Sequence, residues 1–227
     1  MKLFLKIVKV IAVLLISVTV ILFSAALIIQ DRVADFVLKS LNKSIATKFE
    51  FETVRLSFLR KFPKASLDLK NVLVHSSPGF NKCEFEGVDT DTLLAARSVF
   101  VEFDMADIWH GTYNIERIGI RDGLLRLLSD SSGMVNYEIS AGSDEGSEGN
   151  FIIDLQRISA DGLKAYYSNR AVKLLVEGTI GKGQLKSRIS GDEIDFTAVS
   201  EMMISSFQLN NTRISNSFPA NIDISLS

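Results

Sequence analysis

The sequence predicts a mainly β protein, in which an antiparallel sheet follows a transmembrane helix and a short amphipathic helix. Three observations support this class. Residues 10–29 carry no charged side chain, so they satisfy the length and hydropathy of a membrane span. Residues 31–48 then show apolar side chains at helical spacing. From Phe49 onward the apolar period changes to two, which is typical of strands.

Composition limits the classes of function. The chain has 227 residues, enough for one medium domain with an anchor. Its net charge of -2 gives it no electrostatic reason to bind nucleic acid. Cys83 is the only cysteine, so an internal disulfide is excluded. Cysteine usage therefore does not distinguish an oxidising from a reducing compartment.

The first segment, residues 1–30, is predicted to be a basic tip and a membrane anchor. Its apolar run of 20 residues makes a helix of about 30 Å, the thickness of a bilayer's hydrocarbon core. Lys2, Lys6 and Lys9 precede the run, which puts the N-terminus in the cytoplasm and the rest of the chain on the far side, the periplasm in a Gram-negative cell. A cleaved signal peptide ending near Ser24 is the alternative, but the apolar run is longer than such peptides carry.

Residues 31–48 are predicted to form an amphipathic helix. Val33, Phe36, Val37 and Leu41 share one face at helical spacing. Such a helix either lies at the membrane surface and closes one end of the β structure, or packs against the domain as an ordinary surface helix. The two readings are compatible.

Residues 49–137 are predicted to be a first β-sheet segment. The alternation slips by one residue between Phe51 and Val54, which indicates a bulge or bend. Residues 98–105 alternate regularly. Asp122-Gly123 stands between two alternating runs and predicts a hairpin turn, and Ser132-Gly133 predicts a second turn.

Residues 138–150 are small and acidic and predict a flexible loop, and residues 151–227 predict a second β-sheet segment. Arg157-Ile158 and the Asp-Gly-Leu that follows echo Arg117-Ile118, at an offset of 40 residues, which indicates a repeat. The glycines of residues 177–183 resemble a phosphate loop, but no Ser or Thr follows Lys182 and a β-turn explains them better.

Catalytic and metal-binding patterns are missing from the sequence. His75 and His110 stand in no motif with a serine or cysteine nucleophile, and Cys83 has no neighbouring cysteine or histidine with zinc-ligand spacing. The carboxylates of residues 138–150 lack the spacing of a calcium loop. The sequence therefore predicts no enzyme, no cofactor and no metal site; a hydrolase using His75 or His110 is a distant alternative.

Two stretches resemble the N-terminal region of the AsmA family: "FEFETVRLSFLRKFPKASLDLKNVLV" after the anchor, and "IERIGIRDGLLRLLSDSSGMVNYEIS" later. The likeness covers most of residues 1–170, and its motifs are degenerate hydrophobic patterns. Family members are commonly longer than this chain, so the resemblance leaves open whether the native chain continues past Ser227. The residues that match the second pattern are Ile115, Ile118, Ile120, Gly123, Leu127, Asp130, Gly133, Asn136 and Tyr137.

This resemblance implies a single-pass protein of the inner membrane whose periplasmic sheet curls into a groove. Such grooves are expected to bind or conduct membrane lipids through the phospholipid acyl chains, in outer-membrane biogenesis. The candidate groove residues are Val99, Val101, Phe103, Ile118, Ile120, Leu125 and Leu127. The same pattern fits an ordinary dry core. The alternative function is a scaffold that engages other envelope proteins, such as those of outer-membrane assembly, through its sheet edges.

Overall fold

The computed structural model describes residues 45–57, 64–104, 115–139, 157–190, 193–210 and 212–226. These residues form ten strands that belong to one sheet. The strands are β1 (Phe49–Glu50), β2 (Thr53–Ser57), β3 (Lys64–His75), β4 (Thr92–Asp104), β5 (Ile115–Ser129), β6 (Ile158–Asn169), β7 (Leu174–Ser190), β8 (Glu193–Leu209), β9 (Thr212–Ile214) and β10 (Phe218–Leu226).

The strand order is β1-β3-β4-β5-β6-β7-β8-β10, with β2 also beside β3 and β9 also beside β8. The sheet is not closed, and its pairs are mostly antiparallel. The prediction of a mainly β chain is therefore confirmed. The exception to the antiparallel pattern is the pair β5 and β6, which run parallel.

The predicted membrane span, residues 10–29, lies outside the described residues, as does most of the predicted amphipathic segment. Residues 45–48 of that segment are described and are not helical. Their polar groups bond to other segments of the chain instead: the Ala46 amide donates to the Ile139 carbonyl at 2.7 Å. The Thr47 hydroxyl donates to the carbonyls of His75 and Ser76. Among the described residues no helix has the length and hydropathy to cross a bilayer.

The break between β1 and β2 confirms the bulge or bend predicted at the slip in the alternation. Both short strands pair with β3, with Phe49 opposite Val74 and Val54 opposite Leu69. The residues between them are out of the ladder. The slip therefore keeps Phe49 and Val54 on the same side of the sheet although their sequence separation is odd.

The hairpin turn predicted at Asp122-Gly123 is wrong. Both alternating runs belong to the single strand β5, and Asp122 lies in its interior with a φ of 48°. Aspartate tolerates this left-handed backbone better than most residues. The chain therefore absorbs the irregularity as a local change of twist and continues in the same direction.

The repeat at an offset of 40 residues corresponds to the parallel pair of strands. From Ile118 opposite Ile158 to Ser129 opposite Asn169, every paired residue of β5 faces the residue 40 positions later in β6; the pairing skips Asp122 and Gly162. The Asp-Gly pairs are shifted by one residue between the copies. This shift brings Gly162, with a φ of 64°, to the position across from Asp122, so both copies have a left-handed residue at the same level of the sheet.

The irregularity extends across five strands in a transverse row. The ladder pairings skip Asn71, Arg97, Asp122, Gly162 and Gly181, which follow one another from β3 to β7. The β-turn predicted over residues 177–183 is accordingly wrong, because those residues lie inside β7 and Gly181 belongs to this row. Each skipped residue shifts the alternation by one, so the same face stays apolar on both sides of the row.

Candidate functional site

The cross-strand pairs place apolar side chains on one face of the sheet from β3 to β10. This surface is called the apolar face below. One row across it is Leu67, Val101, Ile118, Ile158, Leu185, Ala198 and Ile224. A second row, beyond the transverse irregularity, is Val72, Ala96, Gly123, Leu163, Ile180, Met202 and Ala220.

All seven candidate groove residues lie on the apolar face. Val101 stands opposite Ile118 and Val99 opposite Ile120, and Leu125 stands opposite Leu94. Phe103 and Leu127 continue the alternation of their strands by two residues, which returns a side chain to the same face. The grouping predicted from the sequence pattern is thus present in the sheet.

Solvent exposure divides the seven residues into two sets. Val99, Val101 and Phe103 are 8%, 3% and 0% exposed, as core side chains are. Ile118, Ile120, Leu125 and Leu127 are half-buried. Towards β10 exposure rises further, and Ile222 and Ile224 reach 37% and 45%. An apolar surface that could accept a ligand therefore lies towards β10, outside the residues named from the sequence.

The sequence reasoning missed the apolar residues of β6, β7, β8 and β10. The alternating "ANIDISLS" at the end of the chain was a signal for part of this surface. The echo at an offset of 40 residues was a signal for β6. The contributing side chains with intermediate or greater exposure are Ile158, Ala160, Ala165, Tyr167, Val176, Ile180, Leu185, Met202, Ile204, Ile222 and Ile224.

The opposite face, called the polar face below, carries mixed charges. One row across it is Lys70, Ser98, Arg121, Asp161, Lys182, Glu201 and Asn221. Lys70 pairs with Asp68 at 2.8 Å and donates to the Ser98 hydroxyl. From Arg121 to Glu201 opposite charges alternate along the row, which suits a solvated sheet surface. Along these rows apolar and charged side chains lie on opposite faces, while other positions of the polar face are apolar, among them Leu124, Val199 and Met203.

Phe100 is a large aromatic residue of this polar face. Its ring lies over Gly119, where an added Cβ would stand 1.9 Å from the ring. The guanidinium groups of Arg117 and Arg121 lie 5.5 and 5.1 Å from its centroid, within the range of cation–π attraction. The ring thus covers the backbone of β5 and organises two cations around it.

A second core lies on the polar side, where the segment of residues 76–91 packs against the end of β5. Phe80 and Phe85 contact Leu128, with Val88 and Tyr166 at the margin. Outside this cluster, Arg126 pairs with Asp89 at 2.8 Å. This core fixes one end of the sheet and leaves the apolar face towards β10 uncovered by residues 76–91.

Residues 130–137, which match the AsmA-like pattern, form a hydrogen-bonded loop after the end of β5. This loop is called the clasp below. Asn136 is fully buried; its side-chain oxygen accepts from the Leu128 amide at 2.8 Å. Its side-chain nitrogen donates to the Arg126 carbonyl and the Ser76 hydroxyl at 3.0 and 3.1 Å. Gly133 has a φ of 89°, which confirms the turn predicted at Ser132-Gly133. The clasp joins β5 to the segment after β3, so its role is structural.

Asp130 closes the same turn. Its carboxylate accepts from the Ser132 hydroxyl at 2.7 Å and from the amides of Ser132 and Met134, both at 2.9 Å. The Ser132 hydroxyl is the main cause that lowers the pKa of Asp130; burial opposes it, and the backbone amides add to it. The ionised form is thus the one that holds the turn.

A polar cavity of about 510 Å³ opens at the transverse row. Its lining includes Lys70, Arg97 and Arg121 together with Glu52 and Asp122. Asn71 donates to Glu52 within it. The charges are mixed, and the arrangement does not select one sign of ligand.

His75, the described one of the two candidate histidines, ends β3 and lies 3.2 Å from Glu50. A hydrogen bond from Lys48 is the main cause that lowers the pKa of Glu50, and the His75 ring adds to it. Within the parts of the chain that the structure describes, no serine, threonine or cysteine side chain hydrogen-bonds to the His75 ring. His110 lies outside the described residues. The described parts also hold no cluster of three metal-binding side chains.

No protein-family model matches the chain, and no curated protein shows significant similarity to it. The resemblance to the AsmA family therefore stays a prediction.

Proposed function

We propose that this chain is an AsmA-like protein, anchored in the inner membrane, whose apolar face binds phospholipid acyl chains in the periplasm. The observation that carries the proposal is the apolar face itself, with side chains that become more exposed towards β10. Contiguous apolar patches exposed on a protein surface usually mark binding sites. The protein would contribute in this way to outer-membrane biogenesis.

The dimensions of the face suit an acyl chain. Six inter-strand spacings separate β3 from β10, and at about 4.8 Å each they span about 29 Å. The acyl chains of one leaflet occupy about 15 Å of a bilayer. Each methylene that leaves water contributes about 0.8 kcal/mol, so contact along a part of the face is sufficient for binding.

The transverse row supports a curled sheet, which is the groove of this proposal. Bulged residues bend a strand and increase its twist, and here five neighbouring strands carry the irregularity at one level. A bend shared by neighbours curves the whole sheet. With the apolar face on the concave side, lipid chains would be shielded from water on two sides.

Native mass spectrometry of the full chain purified from cells, with parallel lipid extraction, tests this function. We expect stoichiometric phospholipid with the natural sequence and its loss in the double variant Ile222→Asp, Ile224→Asp. The matched control is Val199→Asp with Met203→Asp, two residues of the polar face with similar exposure, 48% and 47%. The control should retain the lipid. A folded natural chain without lipid contradicts the proposal.

The edge strand β10 favours a second candidate function, engagement of a partner protein. Among the described residues β10 pairs with β8 alone, so the backbone groups of its outer side are open to another strand. A photo-crosslinking residue in place of Asn221 in living cells tests this function. A discrete protein adduct at Asn221, in a chain that carries no lipid, would favour the scaffold over the lipid-binding protein.

A further inference from the structure

One end of the sheet has a group of exposed apolar side chains. Cross-strand pairs join Ser129 to Asn169, Asn169 to Leu174, and Leu174 to Leu209, so β5, β6, β7 and β8 share this end. The turns and strand ends here carry Met134, Tyr137, Val172, Leu209 and Ile214, which are 48%, 40%, 54%, 44% and 46% exposed. These five residues are called the apolar tip below.

Exposed cations stand beside the apolar tip. Arg170 and Lys173 flank Val172 in the turn between β6 and β7, and Arg213 precedes Ile214 on β9. None of the three forms an ion pair with another described residue; Arg170 lies over the Phe85 ring. Apolar side chains with neighbouring cations are the combination that binds the interface of an anionic bilayer.

The carboxylates of this end are largely engaged within the fold. Asp89 pairs with Arg126 and Asp91 with Lys82, while Glu84 accepts from Ser131. Asp130 is held in its turn. Glu86 and Glu138 remain exposed, and Glu177, opposite Tyr166, is half-buried, so in the described part of this end the carboxylates without an ion pair equal the three cations in number. The cations stand beside Val172 and Ile214 in the sequence, whereas Glu86 precedes β4 and Glu138 follows β5.

The chain enters the sheet at the same end. The Ala46 amide bonds to the Ile139 carbonyl, and the His75 amide bonds to the Lys48 carbonyl at 3.0 Å. His75 pairs with Thr92 at the start of β4, on the side of the sheet where β5 ends. In the sequence, 15 residues separate the predicted membrane span, residues 10–29, from residue 45, the first that the structure describes.

We infer that the apolar tip docks on the surface of the anionic membrane that holds the chain. Val172, Leu209 and Ile214 enter the interface between headgroups and acyl chains, while Lys173 and Arg213 contact lipid phosphates. This contact would bring one end of the apolar face to the bilayer. The inference rests on the proposed membrane anchor, but it does not require lipid to occupy the apolar face.

Depth-dependent fluorescence quenching of the full chain in lipid vesicles tests the docking. Cys83, which is exposed and free, is first replaced by Ser, and a fluorophore is attached at Val172→Cys. The control carries the fluorophore at Val199→Cys, a site of similar exposure in the middle of β8. Vesicles contain phosphatidylcholine with or without phosphatidylglycerol, and a nitroxide placed near the headgroup is the quencher.

We expect quenching at position 172 and none at position 199. When the tip is docked on the vesicles, iodide in the buffer should quench the fluorophore at position 172 less than it does at position 199. Reversing one charge, as in Lys173→Glu or Arg213→Glu, should weaken the docking equilibrium by roughly fivefold or more, since each cation contributes about that factor near an anionic surface. Equal access of iodide to both positions overturns the inference. The inference is also overturned if quenching at position 172 is the same with and without phosphatidylglycerol and the same in the two charge-reversal variants. Lipid bound at the apolar face is measured separately by mass spectrometry, so the two proposals fail independently.

Discussion

Replacing Asn136 with Ala should destabilise the protein by about 2–6 kcal/mol. The Asn136 side chain is fully buried and forms three hydrogen bonds. Its removal leaves the Leu128 amide and the Arg126 carbonyl without this partner, and each orphaned buried group costs about 1–3 kcal/mol. The Ser76 hydroxyl can rotate to another acceptor, so it adds little.

Urea unfolding of the full chain in detergent micelles, followed by the circular dichroism of the sheet, measures this loss. The control is Met134→Ala in the same clasp, whose side chain is 48% exposed; a surface change of this kind alters stability by about 0.5 kcal/mol. Equal effects of the two substitutions would show that the clasp bonds do not hold the end of β5, and would refute the structural role given to the 130–137 motif.

Three further predictions concern the transverse row, Asp130 in the clasp, and the Phe100 ring that lies over Gly119. Gly162→Ala should cost about 1–2 kcal/mol in the free energy of unfolding, because its φ is 64°, whereas Asp122→Gly should change stability by less than about 1 kcal/mol. The depressed pKa of Asp130 means that its stabilisation is present above the unfolded value, about 3.9, and is lost as the pH falls through the folded value; Asp130→Asn should flatten the stability profile over that acid range. Gly119→Ala should cost about 1–3 kcal/mol through overpacking against Phe100, and Phe100→Ala should relieve most of that cost in the double variant. A Gly162→Ala variant as stable as the natural chain, an unchanged acid profile for Asp130→Asn, or additive Gly119 and Phe100 effects would each contradict the corresponding contact.

The sequence predicted the sheet because alternation is a local property. Residues 98–104 alternate within β4, and the slip between Phe51 and Val54 marks the break between β1 and β2. The seven candidate residues share one face for the same reason. Their exposure could not be predicted, because it depends on what lies across the sheet and not on the alternation.

The Asp122-Gly123 error has a different cause. Asp-Gly is a turn signal within one segment, and nothing local distinguishes a hairpin from a bulge that four neighbouring strands also carry. Asn71, Gly162 and Gly181 lie far apart in sequence and come to one level only through pairing. The offset of 40 residues held the information, since the positions of Asp122 and Gly162 relative to Arg117 and Arg157 are equal. The meaning of this offset became clear only once the parallel register of β5 and β6 was known.

A photo-crosslinking benzophenone residue at Ile224, compared with the same residue at Val199, tests lipid binding by the apolar face most directly. The two positions lie on paired strands, where Ile224 faces Ala198 and Asp223 faces Val199, and are 45% and 48% exposed, so they differ chiefly in the face they occupy. After irradiation of cells and purification of the full chain, mass spectrometry should find a phospholipid adduct at Ile224 and none at Val199. Adducts of equal yield on both faces, or no lipid adduct at Ile224 in a folded chain, would contradict the account.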